Sequence, residues 1–183
     1  MTLLVLDLHI PTAAQVHSER ELFASLAALG PQWVAYGMSF LTLGIFWAGQ
    51  QTQLNHIEEG SRDLTWIHLG FLFTITLMPL STRLLAEFIT CRSALGIYWL
   101  NILAPGAMLY WSWKHATRAN LIKADTPNEV RSSICRRITI AQSLYAAGAA
   151  LCFVSTWVSI AVIVLVQLNY AIAPRLMRKA RER

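Results

Sequence analysis

Residues 64–85 read LTWIHLGFLFTITLMPLSTRLL, a run of 22 residues in which Arg83 is the one charged side chain. A helix of this length rises about 33 Å, which is enough to cross the roughly 30 Å hydrocarbon core of a bilayer. Pro79 lies inside the run and is expected to bend the helix, because proline removes a backbone hydrogen bond. The run therefore predicts a kinked membrane-spanning helix.

The composition of the whole chain agrees with this prediction. The 183 residues are 55% hydrophobic and 14% charged, whereas a soluble chain carries about 25% charged residues. The mean hydropathy is +0.45. A soluble domain of this size could not hide so much apolar surface, because most of its residues would still touch water. These values exclude a sizeable soluble catalytic domain, a disordered chain and a disulfide scaffold, and they predict an all-α integral membrane protein.

The other apolar runs predict how the chain is organised. Further spans are expected at residues 32–49, 94–113, 138–154 and 157–173, the last two forming a tight hairpin joined at Ser155-Thr156. Residues 1–10, MTLLVLDLHI, would rise only about 15 Å as a helix, half of a span. We therefore predict one transmembrane domain over residues 1–183, a six-helix bundle whose first transmembrane helix is incomplete. A basic cytoplasmic tail at 174–183 ends it.

The distribution of charge predicts the orientation of the chain. Its formal net charge is +5, and eleven of the fifteen Lys and Arg residues lie in 114–137 and 175–183. The apolar sequence between these stretches holds two spans, so both stretches lie on one face of the membrane, which the positive-inside rule makes cytoplasmic. The six-span count then places the N- and C-termini in the cytoplasm. This pattern favours a topology signal that attracts anionic lipids over nucleic-acid binding.

The sequence offers no pattern for a catalytic or metal site. The histidines are scattered without an HExxH motif, the cysteines lack the spacing of metal ligands, and there is no glycine-rich phosphate loop or GxSxG elbow. We therefore predict a non-enzyme without a cofactor. His68, near the start of a span, is expected to make an interhelical hydrogen bond rather than to form a functional site.

Polar residues inside apolar runs are candidates for function, because burying them in lipid is costly. Asp7 lies between Leu6 and Leu8, either meeting water near the outer end of its helix or acting directly on cations. Arg83 and Glu87 are four residues apart at a helix end and are expected to pair. Three amides are expected to hydrogen-bond between helices: Gln142, Gln167 and Asn169.

The apolar residues of the first segment form a stripe. Leu3, Leu6 and Ile10 share one face of a helix, and Thr2 flanks that face. Such a stripe is typical of ordinary helix packing. A ring of these leucines from several subunits would instead form a hydrophobic constriction, which can gate or filter ions. The spacing alone leaves both interpretations open.

Four segments together resemble a known family. They are MTLLVLDLHIP at 1–11, YGMSFLTLGIFW at 36–47, FLFTITLMPLST at 71–82 and LCFVSTWVSIAVIVLV at 151–166. They are similar to the bacterial homologues of the lysosomal potassium channel called transmembrane protein 175. The resemblance covers essentially the whole chain.

The resemblance implies a potassium-preferring passive cation channel of the bacterial cytoplasmic membrane, a homotetramer around a central pore that the first helix lines. Potassium is then the permeant ion and no cofactor is needed. Leu3 and Leu6 would form the constriction, with Thr2 as the nearby hydroxyl. Trp47 matches a family tryptophan that supports packing, and Gln50 stands where the family often has histidine. Asp7, Trp47 and Gln50 are thus candidates for the pore mouth or a polar network.

Two further expectations follow from the resemblance. The family's Arg-x-x-x-Phe-Ser-Asp-Gly hallmark precedes the apolar stretch and does not occur in this sequence, so the chain is expected to be N-terminally truncated, with Met1 an internal methionine. The alternatives are a secondary or proton-coupled transporter, or a non-conducting membrane scaffold if the truncation is real. A transporter would favour buried acids near the midplane and an inverted repeat, and the sequence offers only Asp7 near one end.

Overall fold

The computed structural model describes residues 18–181, with side chains as far as Ile172. Its helices, in chain order, are α1 (Glu19–Ala28), α2 (Gly30–Leu54), α3 (Arg62–Thr76), α4 (Met78–Glu87), α5 (Arg92–Arg118), α6 (Asn128–Ala150) and α7 (Thr156–Arg181). A 3-10 turn, Leu151–Phe153, joins α6 to α7. Between residues 18 and 181 there is no strand, and an isolated antiparallel bridge pairs Ile57 with Ile122. The predicted all-α class is confirmed for these residues, and the half helix predicted at 1–10 lies outside them.

Two helices begin at serine caps. The Ser18 hydroxyl accepts from the backbone N–H of Glu21 at 3.3 Å, and the Ser61 hydroxyl accepts from that of Leu64 at 3.2 Å. These bonds satisfy donors that the first turn of a helix leaves without a partner. Asp63 lies in the first turn of α3, where its negative charge is favourable to the helix dipole.

Pro79 separates α3 from α4. Helix α3 ends at Thr76, Leu77 forms the joint, and Pro79 lies in the first turn of α4, where its missing N–H costs no helical bond. Together Arg62–Glu87 comprise 26 residues, about 39 Å of helix. Among the described helices this is the one long and apolar enough to cross a bilayer by length and composition, and Thr156–Ile172 is a shorter apolar helix. The helix is thus interrupted two residues before Pro79, in the region where the sequence predicted a bend.

The helices extend past the runs that hydropathy marks. Helix α2 continues to Leu54, α5 continues to Arg118, and α6 begins at Asn128. Most of the linker predicted at 114–137 is therefore helical, and the connection shrinks to residues 119–127. A polar residue can remain in a buried helix where a neighbouring helix offers it a hydrogen-bond partner. Gln53 lies outside the predicted spans, but it is buried in α2 and donates through Nε2 to the Leu109 carbonyl of α5 at 3.0 Å.

Helix α5 runs through the main core. Leu95, Tyr98 and Ile102 on this helix are fully buried, and they pack with Met38 of α2 and Ile163 of α7. Helix α5 contacts α3, α4 and α6, while α2 contacts α4 and α7. The bundle therefore has α5 and α2 as its two central helices.

A second core lies at the end of the bundle where α5 ends and α6 begins. We call this the basic end, because it carries Lys114, Arg118, Arg131, Arg136 and Arg137.

Trp111 and Trp113 both lie at the end of the apolar run predicted at 94–113, but Trp111 is exposed and Trp113 is buried. Its side chain is buried in the second core with Leu64 and Ile122, and its indole N–H donates to the Arg131 carbonyl at 2.9 Å. A satisfied N–H lets this large ring be buried at little cost.

Candidate functional site

The residues predicted to form the pore fall into two groups. Thr2, Leu3, Leu6 and Asp7 lie outside the described residues. Trp47 and Gln50 lie on α2 and face opposite environments. The Trp47 ring is 60% exposed, whereas the Gln50 side chain is 8% exposed and faces the interior of the bundle. Within the subunit, Trp47 therefore supports little packing, and Gln50 is available to an internal polar network.

Buried polar residues cross the centre of the bundle. We call them the polar cluster: Ser39, Thr42, Thr82, Tyr98 and Gln167. They come from α2, α4, α5 and α7, so four helices meet at one set of hydrogen bonds. Of these residues the sequence predicted only Gln167 as an interhelical group. The hydroxyls at 39, 42 and 82 lie inside apolar runs, and that placement is the sequence feature that could have identified them.

One half of the polar cluster joins α2 to α7. The amide Nε2 of Gln167 donates to Thr42 Oγ1 at 2.7 Å, and Thr42 Oγ1 donates to the Met38 carbonyl at 2.8 Å. Thr42 Oγ1 is also 3.4 Å from Tyr98 Oη. The buried Thr42 hydroxyl thus both donates and accepts a hydrogen bond. The contact therefore holds α2 against α7 without leaving this hydroxyl unpaired.

The other half joins α2 to α4 and α5. Ser39 Oγ lies 3.3 Å from Tyr98 Oη, and the hydroxyls of Ser39 and Thr82 are hydrogen-bonded to each other. Thr82 also donates to the Met78 carbonyl at 2.7 Å. Helix α2 is thereby held from one side along its middle turns, since Ser39 and Thr42 share its inward face.

The predicted interhelical contacts are mostly found. Gln142 donates through Nε2 to the Ile102 carbonyl at 3.4 Å, Gln167 bonds Thr42 as described, and His68 Nε2 lies 3.3 Å from Ser112 Oγ across α3 and α5. The prediction for Asn169 is wrong, because its side chain is exposed. The helical turn carries it to the face of α7 that points away from α2.

The structure departs from the predicted ion pair. Arg83 and Glu87 are both exposed, and no salt bridge joins them in the described part of the chain. Water competes with such an exposed pair, which gains little from closing. Among residues 18–172 no three His, Cys, Asp or Glu side chains come together to hold a metal ion. The cysteines are free thiols: Cys91, Cys135 and Cys152.

Pro105 and Gly106 create a close approach between α5 and α6. Proline at 105 cannot donate to the Asn101 carbonyl, which loosens this turn of α5. A methyl group at Gly106 would collide with the side chain of Gln142. The missing side chain is therefore what lets Gln142 reach the Ile102 carbonyl.

The outer face of α2 carries a regular pattern that the sequence analysis did not identify. Two residue types recur every seven positions, and we call them the glycine–aromatic stripe: Gly30, Gly37 and Gly44 with Trp33, Phe40 and Trp47. The three aromatic side chains are exposed, and a methyl group at any of the three glycines would meet no atom within 4 Å. Small residues at a seven-residue repeat allow a second helix to pack closely. No described part of this chain covers the stripe.

Charge and burial oppose each other at Cys135, which precedes the predicted span of α6. Burial raises the pKa of the Cys135 thiol, and the positive charge of Lys114 lowers it to a smaller extent. The thiol is therefore less ionised at neutral pH than an ordinary cysteine.

Comparison with known proteins confirms the resemblance that the sequence motifs predict. The family model described as endosomal/lysosomal potassium channel TMEM175 matches residues 1–79. The chain is also similar to a solved structure, that of a lysosomal potassium-selective channel TMEM175 homologue from Chamaesiphon minutus. The TM-score is 0.80 and the sequence identity 26%, over 94% of this chain and 88% of that one.

Three proteins with similar sequences are named as ion channels. A potassium channel of Chamaesiphon minutus is 28% identical over 94% of this chain and 86% of its own length, and a potassium channel of Streptomyces collinus is 28% identical over 93% and 84%. The endosomal/lysosomal proton channel TMEM175 of Mus musculus is 28% identical over 48% of this chain and 18% of its own length. These names describe channels rather than enzymes.

Proposed function

From the resemblance to the TMEM175 family, we propose that this chain is a passive cation channel that prefers potassium and forms a homotetramer in the bacterial cytoplasmic membrane. The observation that carries the proposal is the similarity of fold and sequence to the Chamaesiphon minutus channel over 94% of the chain. Passive flux through a pore needs neither a cofactor nor a catalytic group.

The proposed pore is lined by the first segment of each subunit. Leu3 and Leu6 form an apolar constriction, and Thr2 supplies a hydroxyl beside it. The chain contains no TVGYG filter sequence, and the proposal places the selection of the ion at the apolar constriction instead. The family model includes these positions, since its match begins at residue 1.

The described fold supports assembly through α2. The polar cluster holds the inner face of this helix, and the glycine–aromatic stripe leaves its outer face open. A rigid helix with one uncovered, small-residue face is suited to pack against a helix of a second copy. We therefore place α2 behind the pore-lining segment, with Gly30, Trp33 and Gly37 of its stripe at the contacts between subunits.

The proposed orientation rests on the basic end. Helix α5 ends there and α6 begins there, and α7 ends on the same side with four further Lys and Arg at residues 175–181. Positive charge on one side of a membrane protein indicates the cytoplasm. The basic end and the C-terminus then face the cytoplasm.

Ion flux into liposomes tests the proposal. We expect vesicles that contain the purified chain to take up potassium down its gradient, with a rate proportional to concentration, and to take up sodium more slowly. Empty vesicles and vesicles with an unrelated membrane protein are the controls. Flux no greater than in these controls would overturn the proposal, and saturable flux coupled to a second solute would assign a transporter instead.

Measurements under a proton gradient distinguish the two activities for which the relatives are named, potassium conduction and proton conduction. If potassium is the preferred ion, a potassium gradient should drive a larger current than a proton gradient of equal electrochemical size. The reverse order would show that this chain shares the activity named for the mouse relative rather than that named for the bacterial ones.

A further inference from the structure

A cavity of about 520 Å³ opens on the side of the bundle between α2, α5, α6 and α7. We call it the lateral groove. It lies in the half of the bundle nearer the basic end, because Gln53 and Leu109 line it from the C-terminal halves of α2 and α5 and Arg137 lines it from the first half of α6. Its volume falls within the range of about 300–1,000 Å³ that is typical of small-molecule sites.

The wall of the lateral groove is mainly apolar. Leu41 and Ile45 line it from α2, and Ile138 and Ala141 line it from α6. Arg137 is exposed at its rim and is the one charged side chain among the described residues that line it. No carboxylate lines the groove to neutralise this guanidinium. The groove thus offers a hydrocarbon surface with a single positive charge at its mouth.

The surroundings of the rim reinforce this charge. Residues 114–137 contain six Lys and Arg against Asp125 and Glu129, and residues 55–63, which pack against the same end, add Arg62 against Glu58, Glu59 and Asp63, so the cations remain in excess. The potential at the basic end is therefore positive, and it concentrates anions at the membrane surface beside the groove.

We propose that the lateral groove binds an anionic phospholipid, with an acyl chain along the apolar wall and the phosphate group on Arg137. A guanidinium binds phosphate with two parallel hydrogen bonds, and the hydroxyl of Tyr170 at the same groove offers one more donor. A zwitterionic lipid with equal chains fills the wall equally well but brings no net charge to the rim. The proposal requires a membrane location and does not require ion conduction.

Two matched charge changes test the rim. The purified chain in detergent is titrated with fluorescent phosphatidylglycerol and, separately, with phosphatidylcholine of the same chain length. Arg137→Gln should weaken phosphatidylglycerol binding about ten-fold, because a charged hydrogen-bonded contact is lost. Arg136→Gln removes the same charge from an exposed neighbour outside the groove, and it should change the affinity less than about two-fold. Equal effects of the two variants, or equal affinities for the two lipids, would overturn the proposal.

A second pair of variants tests the wall. Ala141→Leu adds bulk inside the groove and should weaken phosphatidylglycerol binding, whereas Ala147→Leu makes the same change at an exposed position outside it. Circular dichroism and elution volume check that both variants fold. If Ala141→Leu does not fold, the comparison of Arg137→Gln with Arg136→Gln alone tests whether the phospholipid binds in the groove. A change in the mass of the assembly with unaltered lipid affinity would assign the groove to a second copy of the chain and overturn the proposal.

Discussion

Gln167 of α7 donates its amide N–H to the hydroxyl of Thr42 on α2 at 2.7 Å, and both side chains are buried. The two residues are 125 positions apart, so this bond closes the bundle between its last helix and its second. The same Thr42 hydroxyl donates to the Met38 carbonyl, and it lies beside the Tyr98 hydroxyl. Through this contact the position of α2 depends on the C-terminal helix.

Gln167→Leu should destabilise the folded chain by about 1 kcal/mol, the size of an interhelical hydrogen bond inside a membrane protein. The cost is limited because Thr42 keeps its bond to Met38, and because Gln167 Oε1 has no partner to lose. Unfolding by denaturing detergent, followed by circular dichroism, measures the change.

Asn169→Leu is the matched control for this prediction, since Asn169 lies two residues further along α7 and is exposed. It should leave the free energy of unfolding nearly unchanged. If the two substitutions have equal effects, the Gln167–Thr42 bond does not contribute to stability.

Gly106→Ala should cost about 1 kcal/mol, because the added methyl group displaces the end of the Gln142 side chain and breaks its hydrogen bond to the Ile102 carbonyl. Gln142→Ala in the same chain should recover part of this loss, since it removes the colliding side chain, and a double-mutant cycle measures the coupling. Gly96→Ala on the same helix adds its methyl to open space and should be neutral or stabilising by about 0.5 kcal/mol. Additive effects of the substitutions at 106 and 142 would contradict the contact.

The sequence predicted the helical class and the bend at Pro79, because both depend on local features. A long apolar run identifies a helix, and proline is favoured in the first turn of a helix, where the N–H that it lacks has no helical partner. It also predicted that Gln142 and Gln167 bond to neighbouring helices, because an amide in an apolar run has few other ways to be satisfied.

Features that depend on which helices meet could not be predicted in this way. The hydropathy of residues 50–53 is that of a connection, yet Gln53 stays helical because the Leu109 carbonyl lies opposite. Trp113 and Trp111 look alike in the sequence, and only the fold buries one of them beneath the loop at Ile122. For the same reason Asn169 could not be distinguished from Gln167 until the face of α7 was known.

Gly37→Leu should weaken assembly without unfolding the subunit, because it places a bulky side chain on the exposed stripe of α2. Light scattering coupled to size-exclusion chromatography should show a smaller assembly than the proposed tetramer. Gly96→Leu makes the same change at an open position on α5 and should leave the mass unchanged. A normal assembly for Gly37→Leu would place the contacts between subunits on another face.

Cysteine labelling should reveal the proposed orientation. Cys91 precedes α5 and is exposed, while Cys135 lies near the basic end, where α5 terminates. In variants that keep one of these cysteines, a membrane-impermeant maleimide should label Cys91 in intact cells and Cys135 only after permeabilisation. The opposite pattern would place the basic end outside.

The rate of labelling at Cys135 should rise steeply with pH. Burial raises the pKa of its thiol above the ordinary value, and only the thiolate reacts. The reactive fraction is therefore small at neutral pH and increases as the pH approaches this raised pKa. A rate that levels off at or below the pH at which an ordinary cysteine thiol ionises would show that burial does not raise this pKa.

Leu6→Ala should increase potassium flux and reduce the preference for potassium over sodium, because a smaller side chain widens and wets an apolar constriction. Flux into liposomes under potassium and sodium gradients measures both quantities. Leu8→Ala is the matched control, because it removes the same atoms at a position that helical periodicity places on the face opposite to Leu6. It should leave the ratio of potassium flux to sodium flux unchanged. If the substitutions at 6 and 8 change the ratio equally, helix stability rather than the constriction explains the effect. If neither changes it, Leu6 does not line the narrow part of the pore.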